Sequence, residues 1–118
     1  TAAMLAAAEG RPYELPFATE SCFQYVGDVA ALFARAAAAT WDGAATADLS
    51  DKVESTDDVI AAIRAAVPEA QVTIAPEHRL SPTTGFDVAP LRAIVGNWTR
   101  TPLARGVAAT IAMARARP

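Results

Sequence analysis

The sequence contains one cysteine, one histidine and one lysine, which are Cys22, His78 and Lys52. A single cysteine excludes an internal disulfide and a cysteine-rich zinc site, and a single histidine excludes any metal site that needs two imidazole ligands. Cys22 lies in an apolar run, so we expect a small buried side chain rather than a nucleophile. An isolated histidine in a loop is more typical of a solvated surface than of catalysis. We therefore predict no metal site and no catalytic residue in this chain.

Glycine-rich phosphate loops and long hydrophobic runs are also absent. The six glycines are scattered, and none has the spacing that opens a dinucleotide-binding helix. No stretch approaches the ~20 apolar residues of a membrane-spanning helix, and the first ten residues do not resemble a secretion signal. The net charge of −3, without a dense cluster of arginines, argues against nucleic acid as a partner. We expect a cytoplasmic protein with neither a nucleic-acid nor a membrane partner.

Alanine dominates what the sequence does contain. Hydrophobic residues make up 53% of the 118 residues, and most of the excess over an ordinary protein is alanine. Alanine favours helices and fills the space between closely packed ones, but it contributes little apolar area per residue. The composition predicts a single helix-rich domain with a modest core.

Periodicity and turn signals place the elements and predict a mixed α/β fold with about five helices and short strands. The predicted helices cover 1–9, 28–39, 55–67, 87–95 and a last segment from 101 with an apolar stripe at Leu103, Val107, Ile111 and Ala114. The predicted strands cover 13–17, 22–26, 45–50 and 71–76. Residues 77–86 are expected to form an irregular loop.

Polar residues at the helix starts predict how each helix is capped. We expect Asp28 to accept hydrogen bonds from free N–H groups of the helix that it opens. Ser55 and Asp58 have the three-residue spacing of a capping box. Thr101 is expected to cap the last helix, with Pro102 in its first position.

Several segments together resemble a known enzyme family. The run "FQYVGDVAALFARAA" is similar to the "Asp-Phe-Val-Tyr-Val-x-Asp-Val-Ala" strand-to-helix junction of the extended short-chain dehydrogenases/reductases, the NAD-dependent sugar epimerases and dehydratases. In family order, "AAEGRPYELPF" precedes it, and "ADLSDKVESTDDVIAAIRAAVP", "FDVAPLRAIVGNW" and "RTPLARGVAATI" follow. The last segment resembles the family ending "Thr-Pro-Leu-Glu-Glu-Gly-Ile".

This resemblance implies that the chain, residues 1–118, is the C-terminal, substrate-binding portion of such an enzyme. The family keeps its glycine-rich NAD loop and its Tyr-x-x-x-Lys catalytic pair in an N-terminal Rossmann half, and neither Tyr13 nor Tyr25 has a lysine four residues on. The resemblance implies a parent enzyme that uses NAD or NADP for hydride transfer on a small-molecule substrate and forms a homodimer. The chain by itself is expected to bind no cofactor.

Three residues are the candidates for substrate contact. Ser21 occupies the position where the nucleotide-sugar epimerases have an arginine that contacts the substrate diphosphate. Arg79 lies in the loop where the family places a second, anion-binding arginine, and Gln24 is the one residue that interrupts the mostly apolar run 22–26. Because Ser21 carries no charge, a nucleotide sugar and a smaller hydroxy or keto compound both stay open as substrates.

The alternative is a stand-alone, non-enzymatic helical module that binds a partner through its apolar first helix. As part of a larger enzyme, the chain should instead expose an apolar patch where the missing half packs. We expect this patch to include Met4 and Leu5, together with part of the stripe from Leu103 to Ile111.

Overall fold

The computed structural model describes residues 1–75 and 77–116, and in these ranges it contains five helices and four short strands. The helices are α1 (Ala2–Ala8), α2 (Val26–Ala38), α3 (Thr56–Ala66), α4 (Ala89–Val95) and α5 (Leu103–Arg115). The strands are β1 (Tyr13–Leu15), β2 (Glu20–Ser21), β3 (Glu54–Ser55) and β4 (Val72–Ile74). The predicted α/β class with about five helices and short strands is thereby confirmed. Pro76, the last residue of the predicted strand 71–76, lies outside the described residues.

The core is formed where α1, α3 and α5 pack against one another. Ile63 of α3 and Val107 of α5 are almost completely buried, and Ala3 and Ala7 present the buried face of α1. Small side chains on α1 let its backbone approach α5 closely, as the alanine content predicts. The core is therefore narrow and depends on a few branched side chains.

Two separate pairs of strands flank these helices. Strand β1 pairs with β4 in parallel, with Tyr13 opposite Val72, while β2 pairs with β3 antiparallel, with Glu20 opposite Ser55. Val72 is fully buried, so the parallel pair closes one side of the helical core. The segment between β1 and β4 contains both α2 and α3.

The predicted strand 22–26 is wrong, and the helix after it begins earlier than expected. Strand β2 ends at Ser21, and α2 begins at Val26, so that Asp28 lies in the first turn of α2 instead of preceding it. Strand β3 offers β2 only two residues to pair with, and the chain beyond Ser21 has no ladder to join. The apolar residues of this run are explained by the cleft described below.

The predicted strand 45–50 is also absent. Its backbone instead pairs with the start of the α4 region: the Asp48 N–H donates to the Asp87 carbonyl at 2.8 Å, and the Asp87 N–H donates to the Asp48 carboxylate at 2.7 Å. Asp87 in turn accepts from the Ala89 N–H at 2.9 Å, although Val88 is the N-cap residue of α4 and that helix has no side-chain cap. Side-chain hydrogen bonding to backbone thus replaces the weak strand pattern.

No helix among the described residues has the length and apolar character needed to cross a membrane. In the same ranges, no three histidine, cysteine, aspartate or glutamate side chains come together as possible metal ligands.

The capping box of α3 is confirmed. Ser55 Oγ accepts from the Asp58 N–H at 3.0 Å, and the Asp58 carboxylate accepts from the N–H and the hydroxyl of Ser55 at 2.8 and 2.7 Å. These hydrogen bonds from the Ser55 backbone and side chain hold the pKa of Asp58 below its ordinary value of 3.8.

A lowered folded-state pKa means that Asp58 stabilises the fold above pH 3.8, and that this stabilisation is lost as the pH falls through the lower folded value. We therefore expect Asp58→Asn to weaken the dependence of folding stability on pH in the acid range. Urea unfolding midpoints measured across that range would show this. Asp57→Asn, which removes none of these hydrogen bonds, is the control and should keep the acid limb of the unaltered protein; identical profiles for the two variants would contradict the prediction.

Candidate functional site

A cleft of about 410 Å³ opens between α1, the segment 23–26 and α5. Its walls are mainly apolar, and they include Met4, Leu5, Phe23, Val26, Leu103 and Val107. Met4, Leu5 and Leu103 are residues that the sequence predicts in an exposed apolar patch. The cleft is a concave, largely apolar cavity of the size that small-molecule sites usually have.

Two glycines let the junction approach α5 and so shape the cleft. Tyr25 packs against Gly106, where an added Cβ atom would lie 3.3 Å from Tyr25 Cβ. The Tyr25 ring also covers Gly27, where an added Cβ would lie 2.7 Å from Tyr25 Cε1. Any side chain at Gly27 would displace the ring, so the Tyr25 position depends on both glycines. A glycine in the interior of a helix costs about 1 kcal/mol of stability relative to alanine. The presence of Gly106 in α5 is therefore the one sequence signal for this close approach.

The Asp28 carboxylate joins the start of α2 to the start of α5. One carboxylate oxygen accepts from the Thr101 N–H and the other from the Thr101 hydroxyl, each at 2.7 Å. The prediction that Asp28 caps its own helix is therefore wrong. The prediction for Thr101 is wrong as well: Pro102 occupies the N-cap position of α5 without a side-chain cap, and the Thr101 hydroxyl is committed to Asp28. Local sequence could not show that two expected caps are partners of each other across 73 positions.

Arg100 lies beside this contact and borders the cleft. Its guanidinium donates to both carboxylate oxygens of Glu54, at 2.9 and 2.8 Å, and to the Phe23 carbonyl at 3.2 Å. Only 19% of the Arg100 side chain and 11% of the Glu54 side chain are exposed. The hydrogen bonds to Glu54 raise the pKa of Arg100 above its ordinary value. Sequence reasoning missed Arg100, because nothing local distinguishes it from a surface arginine.

Cys22 is partly buried next to this pair, and it is the one cysteine of the chain. Burial is the main factor that raises the pKa of its thiol, although a hydrogen bond with Ser50 acts in the opposite direction. A raised pKa keeps the side chain in the unreactive thiol form at neutral pH. The environment favours the structural role expected of Cys22.

The three candidate substrate residues do not share one cavity. Gln24 borders the cleft, whereas Arg79 is exposed at a second depression of about 370 Å³ that also includes Glu20 and Asp57. Ser21 lies in β2 opposite Glu54 and borders neither cavity. The structure thus brings only Gln24 to the cleft.

The remaining loop residues are placed by backbone contacts. His78 is exposed, and its carbonyl accepts from the Ala18 N–H at 2.8 Å, while the Leu80 N–H donates to the Ala18 carbonyl at 2.9 Å. Arg79 lies between these two hydrogen bonds, so its backbone position is fixed although its side chain is exposed.

Comparison with known proteins does not identify the chain. No protein-family model matches it, and no curated protein or solved structure shows significant similarity. The features that bear on function are therefore the cleft, the contacts around it and the resemblance of the motif segments to the extended short-chain dehydrogenases/reductases.

The Asp28–Thr101 contact predicts an energetic coupling between the two residues. Thr101→Val removes one of the two hydrogen bonds to Asp28, and Asp28→Ala removes both, so the double variant should be more stable than the sum of the single losses predicts. We expect a coupling free energy of about 1 kcal/mol, measured by chemical unfolding of the two single variants and the double variant. Asp28→Ala combined with Ser55→Ala is the control and should be additive. Additive losses for Asp28→Ala and Thr101→Val would show that Asp28 acts elsewhere.

Removing Arg100 should leave the Glu54 carboxylate buried without its partner. We expect Arg100→Met to lower the free energy of unfolding by about 2–3 kcal/mol at neutral pH, and Arg100→Met with Glu54→Leu to recover more than half of that loss. Arg11→Met, which breaks an exposed ion pair with Glu9, should change stability little. Equal losses in the single and double Arg100 variants would show that lost packing is responsible and not an unpaired charge.

Proposed function

We propose that this chain is the substrate-binding part of an NAD(P)-dependent oxidoreductase that resembles the extended short-chain epimerases and dehydratases. The parent enzyme would transfer hydride between the nicotinamide and a carbinol or carbonyl carbon of a sugar or a smaller hydroxy compound. The cofactor-binding Rossmann half and the catalytic pair would be supplied by a partner segment. In this proposal, the cleft between α1 and α5 holds the substrate.

The contact between Asp28 and Thr101 carries the proposal. Asp28 belongs to the segment that resembles the family junction, and Thr101 belongs to the segment that resembles the family ending. As sequence, the two segments share only their order along the chain. In the structure they are joined by two hydrogen bonds of 2.7 Å, so they form one unit at the mouth of the cleft. A direct contact gives a physical reason for both segments to occur in one protein.

The exposed area supports a partner that covers this chain. Its accessible surface is 7502 Å², whereas a monomeric protein of this mass exposes about 6,100 Å². The excess of about 1,400 Å² exceeds the ~800 Å² that one partner usually buries in a stable interface. The molecule is only 18 Å thick along its shortest axis. A second body packed on a broad face would account for both observations.

Helix α2 offers one such uncovered surface. Leu32 is its one buried residue, while Phe33 is 66% exposed and Val26 is 65% exposed. A helix on the surface of a globular protein normally turns apolar residues of this size towards the core. The exposed side of α2 is thus a candidate surface for the missing half.

The residues of this chain do not fit a dinucleotide. A pyrophosphate is usually held by a glycine-rich turn at a helix N-terminus, and no helix of the described ranges follows such a turn. The part that this chain plays is to hold and orient the substrate. Gln24, at the cleft, can both donate to and accept from a substrate hydroxyl.

Calorimetric titration with NAD⁺ and NADP⁺ tests the proposal. The full-length product of the gene should bind at least one of the two nucleotides with a Kd below about 100 μM, and the 118-residue chain should show no binding below about 1 mM. Failure of the full-length product to bind either nucleotide would overturn the proposal and favour the stand-alone binding module. Binding by the 118-residue chain itself would show that it holds a cofactor site of another kind.

A further inference from the structure

We infer that the cleft between α1 and α5 binds an uncharged, mainly apolar small molecule that carries a hydroxyl or carbonyl group. The inference depends on the proposed function only for the role of this molecule as substrate. The size, charge and free polar groups of the cleft each support it independently.

The size and walls of the cleft fit a ring-sized apolar ligand. Its volume of about 410 Å³ lies within the ~300–1,000 Å³ typical of small-molecule sites. Met4 and Leu5 of α1 face Leu103 and Val107 of α5 across it, with Phe23 of the junction as a third wall. A flat or cyclic hydrocarbon body could contact all three walls at once and bury most of its apolar surface.

The side chains that border the cleft in the described ranges offer no free charge, although the α-amino group of Thr1 also borders it. Arg100 is the one charged side chain among the described residues that border it, and both of its terminal nitrogens are bound to Glu54 at 2.9 and 2.8 Å. Both partners are largely buried, so an anionic ligand would have to displace Glu54 and leave a buried carboxylate without its partner. A cationic ligand finds no unpaired carboxylate there. The side chains of the cleft thus favour a neutral ligand over a sugar diphosphate.

A few polar groups remain for orientation. Gln24 and Tyr25 border the cleft, and their side chains make no hydrogen bond to any residue in the described ranges. The Thr110 hydroxyl donates to the Gly106 carbonyl at 2.8 Å and therefore keeps only its acceptor capacity. One hydroxyl or carbonyl on the ligand would be enough to use these groups, whereas a highly hydroxylated ligand would leave many of its own groups facing apolar walls.

Two probes with the same ring system separate charge from apolar contact. These are 1-naphthol, which is neutral at pH 7, and naphthalene-1-sulfonate, which is an anion. With the ¹⁵N-labelled 118-residue chain, we expect 1-naphthol to shift the amide signals of Gln24, Gly106 and Thr110 in a saturable way, with a Kd below about 1 mM. With the α-amino group of Thr1 acetylated, the sulfonate should bind at least about tenfold more weakly than 1-naphthol, because Arg100 is already paired.

A matched pair of variants on α5 identifies the site. Met113 borders the cleft and is 48% exposed, so Met113→Trp should obstruct the cleft and weaken 1-naphthol binding at least fivefold. Ala112, its exposed neighbour, does not border the cleft, so Ala112→Trp should bind like the unaltered chain. Thermal unfolding of both variants checks that each is folded.

Four outcomes would overturn the inference: equal affinity for the two probes, undiminished binding by a folded Met113→Trp variant, shifts confined to residues outside the cleft, or concentration-dependent shifts of the cleft amides without any probe. The last outcome would show that a second copy of the chain occupies the cleft. None of these measurements involves a nicotinamide cofactor. The inference can therefore fail while the proposed function stands, and the proposed function can fail while the inference stands.

Discussion

The carboxylate of Asp28 joins two parts of the chain that lie beside the cleft. It accepts two short hydrogen bonds from Thr101, one from the backbone and one from the side chain, and so fixes the start of α5 against the start of α2. Arg100 is the residue before Thr101, and Tyr25 lies three residues before Asp28. Arg100 and the ring of Tyr25, which both border the cleft, are thus close in sequence to this one contact. Without it, α5 could still pack in the core through Val107, and Arg100 would still be held by Phe23 and Glu54, but the direct link between Thr101 and α2 would be lost.

The ion pair between Arg100 and Glu54 keeps the Arg100 charge from being free at the cleft. Arg100 is held by Glu54 and by a backbone carbonyl, so its positive charge is neutralised at the edge of the cleft. The same arginine, if free, would favour an anionic ligand. A buried pair of this kind contributes little net stability, and its value lies in the geometry that it fixes.

The sequence predicted the elements that depend on local signals. Hydrophobic spacing located α3 and α5, and the capping box at Ser55 marked the start of α3, because these patterns act within a few residues. The junction strand and the role of Asp28 were wrong for the opposite reason: strand pairing and a hydrogen bond across 73 positions depend on partners that no local pattern specifies. Of the predicted substrate residues, only Gln24 borders the cleft, and Arg100 was missed entirely.

The packing of α1 against α5 brings the two ends of the chain into one core. Ala3 and Ala7 belong to the same buried cluster as Val107 and Ile111, which lie about a hundred positions away. Strand β1 likewise has no strand to pair with until β4 has been synthesised. During synthesis, the ribosome releases α1 long before its partner helix exists, so the apolar face of α1 cannot pack against α5 until about a hundred more residues have emerged. Folding of this core is therefore a late event with high contact order. Until then, the nascent chain presents an apolar segment that chaperones can bind.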